Sequence, residues 1–90
     1  MELLKVTEYN TVSGWYVTGA TRAGWKWRYI PNMLNLDAVS YIKLLKNYKA
    51  RNIIYKPETD CLLYSFDKKE DAHKWVLYVN RQARKINYQW

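Results

Sequence analysis

The chain alternates between two periods. Leu3 to Tyr9 (LLKVTEY) and Gly14 to Thr18 (GWYVT) are rich in β-branched and aromatic residues and predict strands. Gly19 to Gly24 reads as a loop between two glycines. Trp25 to Ile30 (WKWRYI) alternates with period two and predicts a third strand ended by Pro31 and Asn32. The period then changes. Asn35 is a candidate N-cap with Asp37 in the first turn, and Ala38, Tyr41, Ile42, Leu45 and Tyr48 form a helical stripe. That helix should fade near Ala50 to Asn52. Arg51 to Lys56 and Cys61 to Phe66 predict a hairpin around the turn Pro57 to Asp60. Asp67 and Glu70 have capping-box spacing, and Ala72, Trp75, Val76, Val79, Ala83 and Ile86 make one apolar stripe of a second helix. Its acidic start and its basic end (Arg81, Arg84, Lys85) both suit the helix dipole. Asn87 to Trp90 reads as a short strand or a frayed tail.

The order is β-β-β-α-β-β-α, with a possible final strand. It predicts an α+β fold: an antiparallel sheet of about five strands with two helices packed on one face. From Trp25 onward the order matches a ferredoxin-like split β-α-β unit. Residues 66–72 (Phe66-Asp67-Lys68-Lys69-Glu70-Asp71-Ala72) resemble the strand-to-helix junction of an RNA recognition motif. That resemblance covers seven residues. The family's third strand carries a basic residue, a glycine and stacking aromatics, whereas Asp60-Cys61-Leu62-Leu63 stands here. No RNA-contacting residue carries over.

Length and composition narrow the functional classes. Ninety residues predict one small domain, and 49% hydrophobic with 26% charged residues is a globular composition. Cys61 is the single cysteine and His73 the single histidine, too few for an internal disulfide or a zinc site. The longest uncharged run, Tyr9 to Thr21, has 13 residues, short of a membrane span. The start Met1-Glu2-Leu3-Leu4-Lys5 lacks the pattern of a signal peptide, so a cytoplasmic domain is expected. No nucleotide loop, paired-carboxylate site or metal cluster is legible, and neither enzyme activity nor a cofactor is expected. His73 reads as a boundary residue beside the apolar stripe, and Cys61 as a small buried hydrophobe.

Charge and aromatics point the other way, toward binding. Fifteen Lys and Arg against eight Asp and Glu leave +7. Five Trp and nine Tyr exceed what a chain of this length can bury completely, so some rings are expected at the surface. One candidate patch is the third strand with its loop: Arg22, Lys26 and Arg28. Lys26, Arg28 and Ile30 share one side of that strand; Trp25, Trp27 and Tyr29 share the other. If the aromatic side is the buried one, the cations stand on the open face of the sheet. The second patch is the outer side of the second helix, where Lys74, Tyr78, Arg81, Gln82 and Lys85 recur at helical spacing with Arg84 beside them. Lys43, Lys46, Lys49 and Arg51 would add to it if the helices lie side by side.

The expectation is a nucleic-acid-binding module, DNA or RNA undetermined, with salt-sensitive binding of low sequence preference. The alternative partner is an acidic protein surface, such as that of a nucleic-acid-processing enzyme. The Asn-, Lys- and Tyr-rich composition suits a phage or mobile-element regulator of that kind. A homodimer paired through Asn87 to Trp90 is a third reading.

Overall fold

A tight turn at Pro57 to Asp60 organises the sheet. Asp60 takes a positive φ of 51°, which Asp tolerates better than most residues, and the Tyr55 hydroxyl donates to its Oδ1 at 3.0 Å. The turn joins β5 (Ala50–Lys56) to β6 (Cys61–Phe66). The computed structural model that shows this describes residues 4–8, 14–21, 24–25 and 29–86.

β6 lies inside the sheet. β5 pairs along one edge of it; β2 (Trp15–Thr21) and β4 (Ile30–Pro31) share the other, β2 at Phe66 and β4 at Cys61. β1 (Leu4–Glu8) pairs with β2, and β3 (Gly24–Trp25) pairs with the far end of β2. Every pairing is antiparallel. The helix α1 (Ala38–Asn47) connects β4 to β5, with β6 between them. This is the split β-α-β arrangement expected from the order of elements. Of the expected strand Trp25 to Ile30, Trp25 lies in β3, Ile30 lies in β4 and Tyr29 lies in no strand, while residues 26–28 lie outside the described ones. β2 extends to Thr21, through the first part of the expected glycine loop, because Ala20 and Thr21 find partners in β3.

Both helices cover one face. On β6, Leu62, Tyr64 and Phe66 are buried toward them, as the period of two requires. Trp75 of α2 (Lys69–Lys85) is the hub: its ring centroid lies 6.0 Å from Tyr41 of α1 and 5.9 Å from Tyr64. Its Nε1–H donates to the Tyr64 hydroxyl at 2.9 Å, so the indole is buried without an unpaired donor. Burial pushes the Tyr64 hydroxyl well above the ordinary tyrosine range. Met33, in the linker before α1, is also fully buried. Asn32 folds that linker: its Nδ2 donates to the Leu36 carbonyl and its Oδ1 accepts from Leu34 N–H.

Both helix starts differ from the sequence expectation. α1 is capped by Asp37, whose Oδ2 accepts from Ser40 N–H at 3.1 Å; Asn35 stands outside the helix with φ +54°. α2 begins after Lys68 with no side-chain cap. Asp67 is not the cap because its carboxylate is taken by Arg51, whose Nη1 donates to both oxygens at 2.7 and 2.8 Å. Ile86 follows the last turn of α2 and is 44% exposed, so the core stripe stops at Ala83.

Two local irregularities shape the strands. Gly14 enters β2 at φ +84°, and a Cβ there would lie 2.3 Å from the Phe66 carbonyl oxygen. Only glycine allows that approach. In β5 the register shifts between Arg51 and Ile54, with Asn52 at φ +55°. This bulge is stapled to β6: Asn52 Nδ2 donates to Ser65 Oγ at 2.8 Å, and Ser65 Oγ donates to the Arg51 carbonyl at 3.3 Å.

Candidate nucleic-acid interface

The face of α2 turned away from the core follows from its buried stripe. Ala72, Trp75, Val76, Val79 and Ala83 point at the sheet. The opposite side therefore carries Lys74, Leu77, Arg81, Arg84 and Lys85, all exposed. No acid follows Asp71 on this helix, so its outward face carries Lys74 and then, two turns on, Arg81, Arg84 and Lys85 with no opposing charge of its own. Lys74 to Lys85 spans about 16 Å of helix axis, roughly the axial rise of five phosphates along one strand of B-form DNA. Leu77, 61% exposed, is an apolar residue set into this ribbon.

The end of α1 lies against the first half of α2. Tyr48, the C-cap of α1, packs its ring 5.2 Å from Trp75 and 5.3 Å from Tyr78. Tyr48 and Tyr78 are both half-buried, with Trp75 beneath them. A cleft of about 220 Å³ opens beside this pair, lined by Asn47, Tyr48, Lys49, Asp71 and Lys74. Lys43 and Lys46 stand exposed on α1. Among the described residues Lys46, Lys49, Lys74, Arg81 and Lys85 are in no ion pair. Arg51 is different: its pairing with Asp67, which also raises the guanidinium pKa, removes it from the cationic surface.

The structure thus brings Lys74 and Tyr78 together with Tyr48 and Lys49, and continues the surface through Arg81, Arg84 and Lys85. Arg22, Lys26 and Arg28 lie outside the described residues, as does the tail Asn87 to Trp90. At the end of that segment the buried side is nonetheless clear. Ile30 is core, whereas Tyr29 carries Lys56 Nζ 4.6 Å over its ring. The side that holds Tyr29 is not the one facing the helices at this point, which answers there what the alternation leaves open. Tyr48 and Asn47 were not singled out from the sequence. Tyr48 belongs to the core stripe by its spacing, yet as a helix C-cap it straddles core and surface.

His73 is exposed on α2, and Cys61 is half-buried on the far face of the sheet, its Sγ donating to the Thr59 carbonyl at 3.2 Å. The thiol is therefore less buried than the sequence suggested. Among the described residues no group of three or more His, Cys, Asp or Glu is placed to hold a metal ion. None of the described helices is long and apolar enough to cross a membrane.

Comparison with protein-family models, curated proteins and solved structures finds no match to this chain. The molecule is thus defined by its own architecture, a small α+β domain with a cationic helix layer.

Proposed function

We propose that the chain is a non-enzymatic nucleic-acid-binding protein of the cytoplasm that holds phosphates along the outer face of α2. The observation that carries this reading is the exposed run Lys74, Arg81, Arg84 and Lys85, beginning at the half-buried tyrosines 48 and 78. Phosphate contacts confer affinity and strong salt dependence but little sequence preference. Flanking aromatics suit contact with bases. Charge reversal at Arg81, Arg84 and Lys85 tests it: binding to DNA or RNA should weaken strongly, and unchanged affinity refutes the role given to α2.

A second reading has an observation of its own. Leu77 and Val39 are 61% and 62% exposed on the two helices, Leu77 within the basic ribbon of α2. Apolar anchors ringed by charge suit a protein interface. On this reading the partner is an acidic protein surface, such as a nucleic-acid-processing enzyme regulated by a phage or mobile-element protein. A complex that tolerates salt and is lost on Leu77→Asp, with no nucleic-acid binding, selects it.

A further inference from the structure

Lys49 is in an uncommon position. Among the described residues four non-glycines have positive φ: Asn35, Lys49, Asn52 and Asp60. Asn and Asp tolerate the left-handed region because their short side chains bond locally; lysine has no such compensation. Lys49 sits at φ +68° just after the C-cap Tyr48, where helices commonly use glycine. The chain keeps a strained lysine where glycine would be relaxed, and that lysine lines the cleft with Lys74. Backbone strain of this kind concentrates at functional sites.

The cleft's size and charge narrow its occupant. At about 220 Å³ it is smaller than the roughly 300–1,000 Å³ of typical small-molecule sites, so it suits one unit of an extended ligand. Lys49 and Lys74 bring two ammonium groups, and Asp71 one carboxylate. One net positive charge remains, which a single phosphodiester neutralises; a terminal phosphate monoester carries about −1.5 to −2 and would overcompensate. The lining also offers a ring, Tyr48, braced by Trp75 and Tyr78, and hydrogen-bonding groups on Asn47 and Asp71 for a base edge or sugar hydroxyl.

We infer that this cleft is a subsite for one unpaired nucleotide of a bound strand, its phosphodiester between Lys49 and Lys74 and its base against Tyr48. The inference rests on the nucleic-acid reading and adds to it a preference for single strands, because a base held in a duplex stack cannot enter. The phosphates on either side follow α2 toward Lys85.

Lys49→Gly separates strain from binding because the two effects have opposite signs. The variant should melt no lower than the wild type, since glycine relieves the left-handed backbone. Anisotropy titrations with a labelled single-stranded oligonucleotide and its duplex read the rest. The wild type should prefer the single strand. Lys49→Gly and the helix-compatible Lys74→Gln should each lower the slope of log affinity against log salt by about 0.7 for the single strand. Equal wild-type affinity for single strand and duplex, with both variants unchanged, overturns the subsite and leaves the α2 reading standing. No binding of either probe by the wild type overturns both. Should Lys49→Gly lower melting as well, Lys74→Gln decides: a slope reduced more for the single strand than for the duplex supports the subsite, and an equal or absent reduction overturns it. Displacement of the oligonucleotide by an equimolar free mononucleotide overturns the assignment to a strand.

Discussion

Asn80 is a buried amide on the helix that carries the basic surface, and replacing it tests how the sheet edge is held. The residue is 3% exposed. Its Oδ1 accepts from Leu4 N–H at 2.9 Å and its Nδ2 donates to the Leu4 carbonyl at 3.4 Å. One side chain of α2 thus pairs both peptide groups of the first residue of β1. Asn80→Leu keeps the branched shape and removes both partners. Each buried group left unpaired costs about 1–3 kcal/mol. Water can reach an edge strand more easily than a central one, so the lower half of the combined range applies, about 2–4 kcal/mol. A domain of this length has roughly 5–15 kcal/mol in total. One kcal/mol moves the melting temperature by about 4–8 °C at this size, which predicts a fall of about 8–32 °C. Thermal denaturation followed by circular dichroism reads it, and amide exchange at residues 4–8 should accelerate more than in β6. A variant melting within about 3 °C of the wild type, with β1 exchange unchanged, would refute the claim that Asn80 pins the edge.

Three further outcomes follow from single contacts. Gly14→Ala should destabilise by at least about 1–3 kcal/mol, since it combines a left-handed φ with a clash against the Phe66 carbonyl; denaturant unfolding checks it. Tyr64→Phe removes the acceptor of the buried Trp75 N–H and should cost about 1–3 kcal/mol, with a change in near-ultraviolet dichroism; unaltered stability would mean the indole has another partner. The hydrogen bonds with Ser40 hold the Asp37 carboxyl below the ordinary value of 3.8. A depressed folded pKa stabilises above the unfolded value and is lost as pH falls through the folded one. The stability gap between wild type and Asp37→Ala should therefore be full near neutral pH and close below pH 3.8; a gap independent of pH would contradict the cap.

The hairpin and the second helix were legible because period and local chemistry agree there. Cys61 to Phe66 is a short apolar run, Pro57 opens the turn before it, and the stripe from Ala72 to Ala83 is strongly helical. The departures come from tertiary competition. Asp67 has the spacing of a cap, but Arg51 from β5 reaches its carboxylate, a contact no local pattern encodes. The WKWRYI alternation leaves the buried side open, and the pairing of Ile30 with Leu62 is what turns Ile30 inward. The basic ribbon on α2 was legible from spacing alone. The cleft was not, since it depends on the end of α1 meeting the first half of α2 and on a left-handed lysine where glycine is the usual residue. Asn80 was missed for a similar reason: its partner is 76 residues away.

The central claim is that the helix layer binds nucleic-acid phosphates. A titration of the full chain with single- and double-stranded DNA and RNA, at about 50 and 200 mM salt, tests it most directly. The account predicts binding at the lower salt that weakens roughly a thousandfold at the higher if six or more phosphates are engaged. No binding at the lower salt, or affinity indifferent to salt, would contradict it.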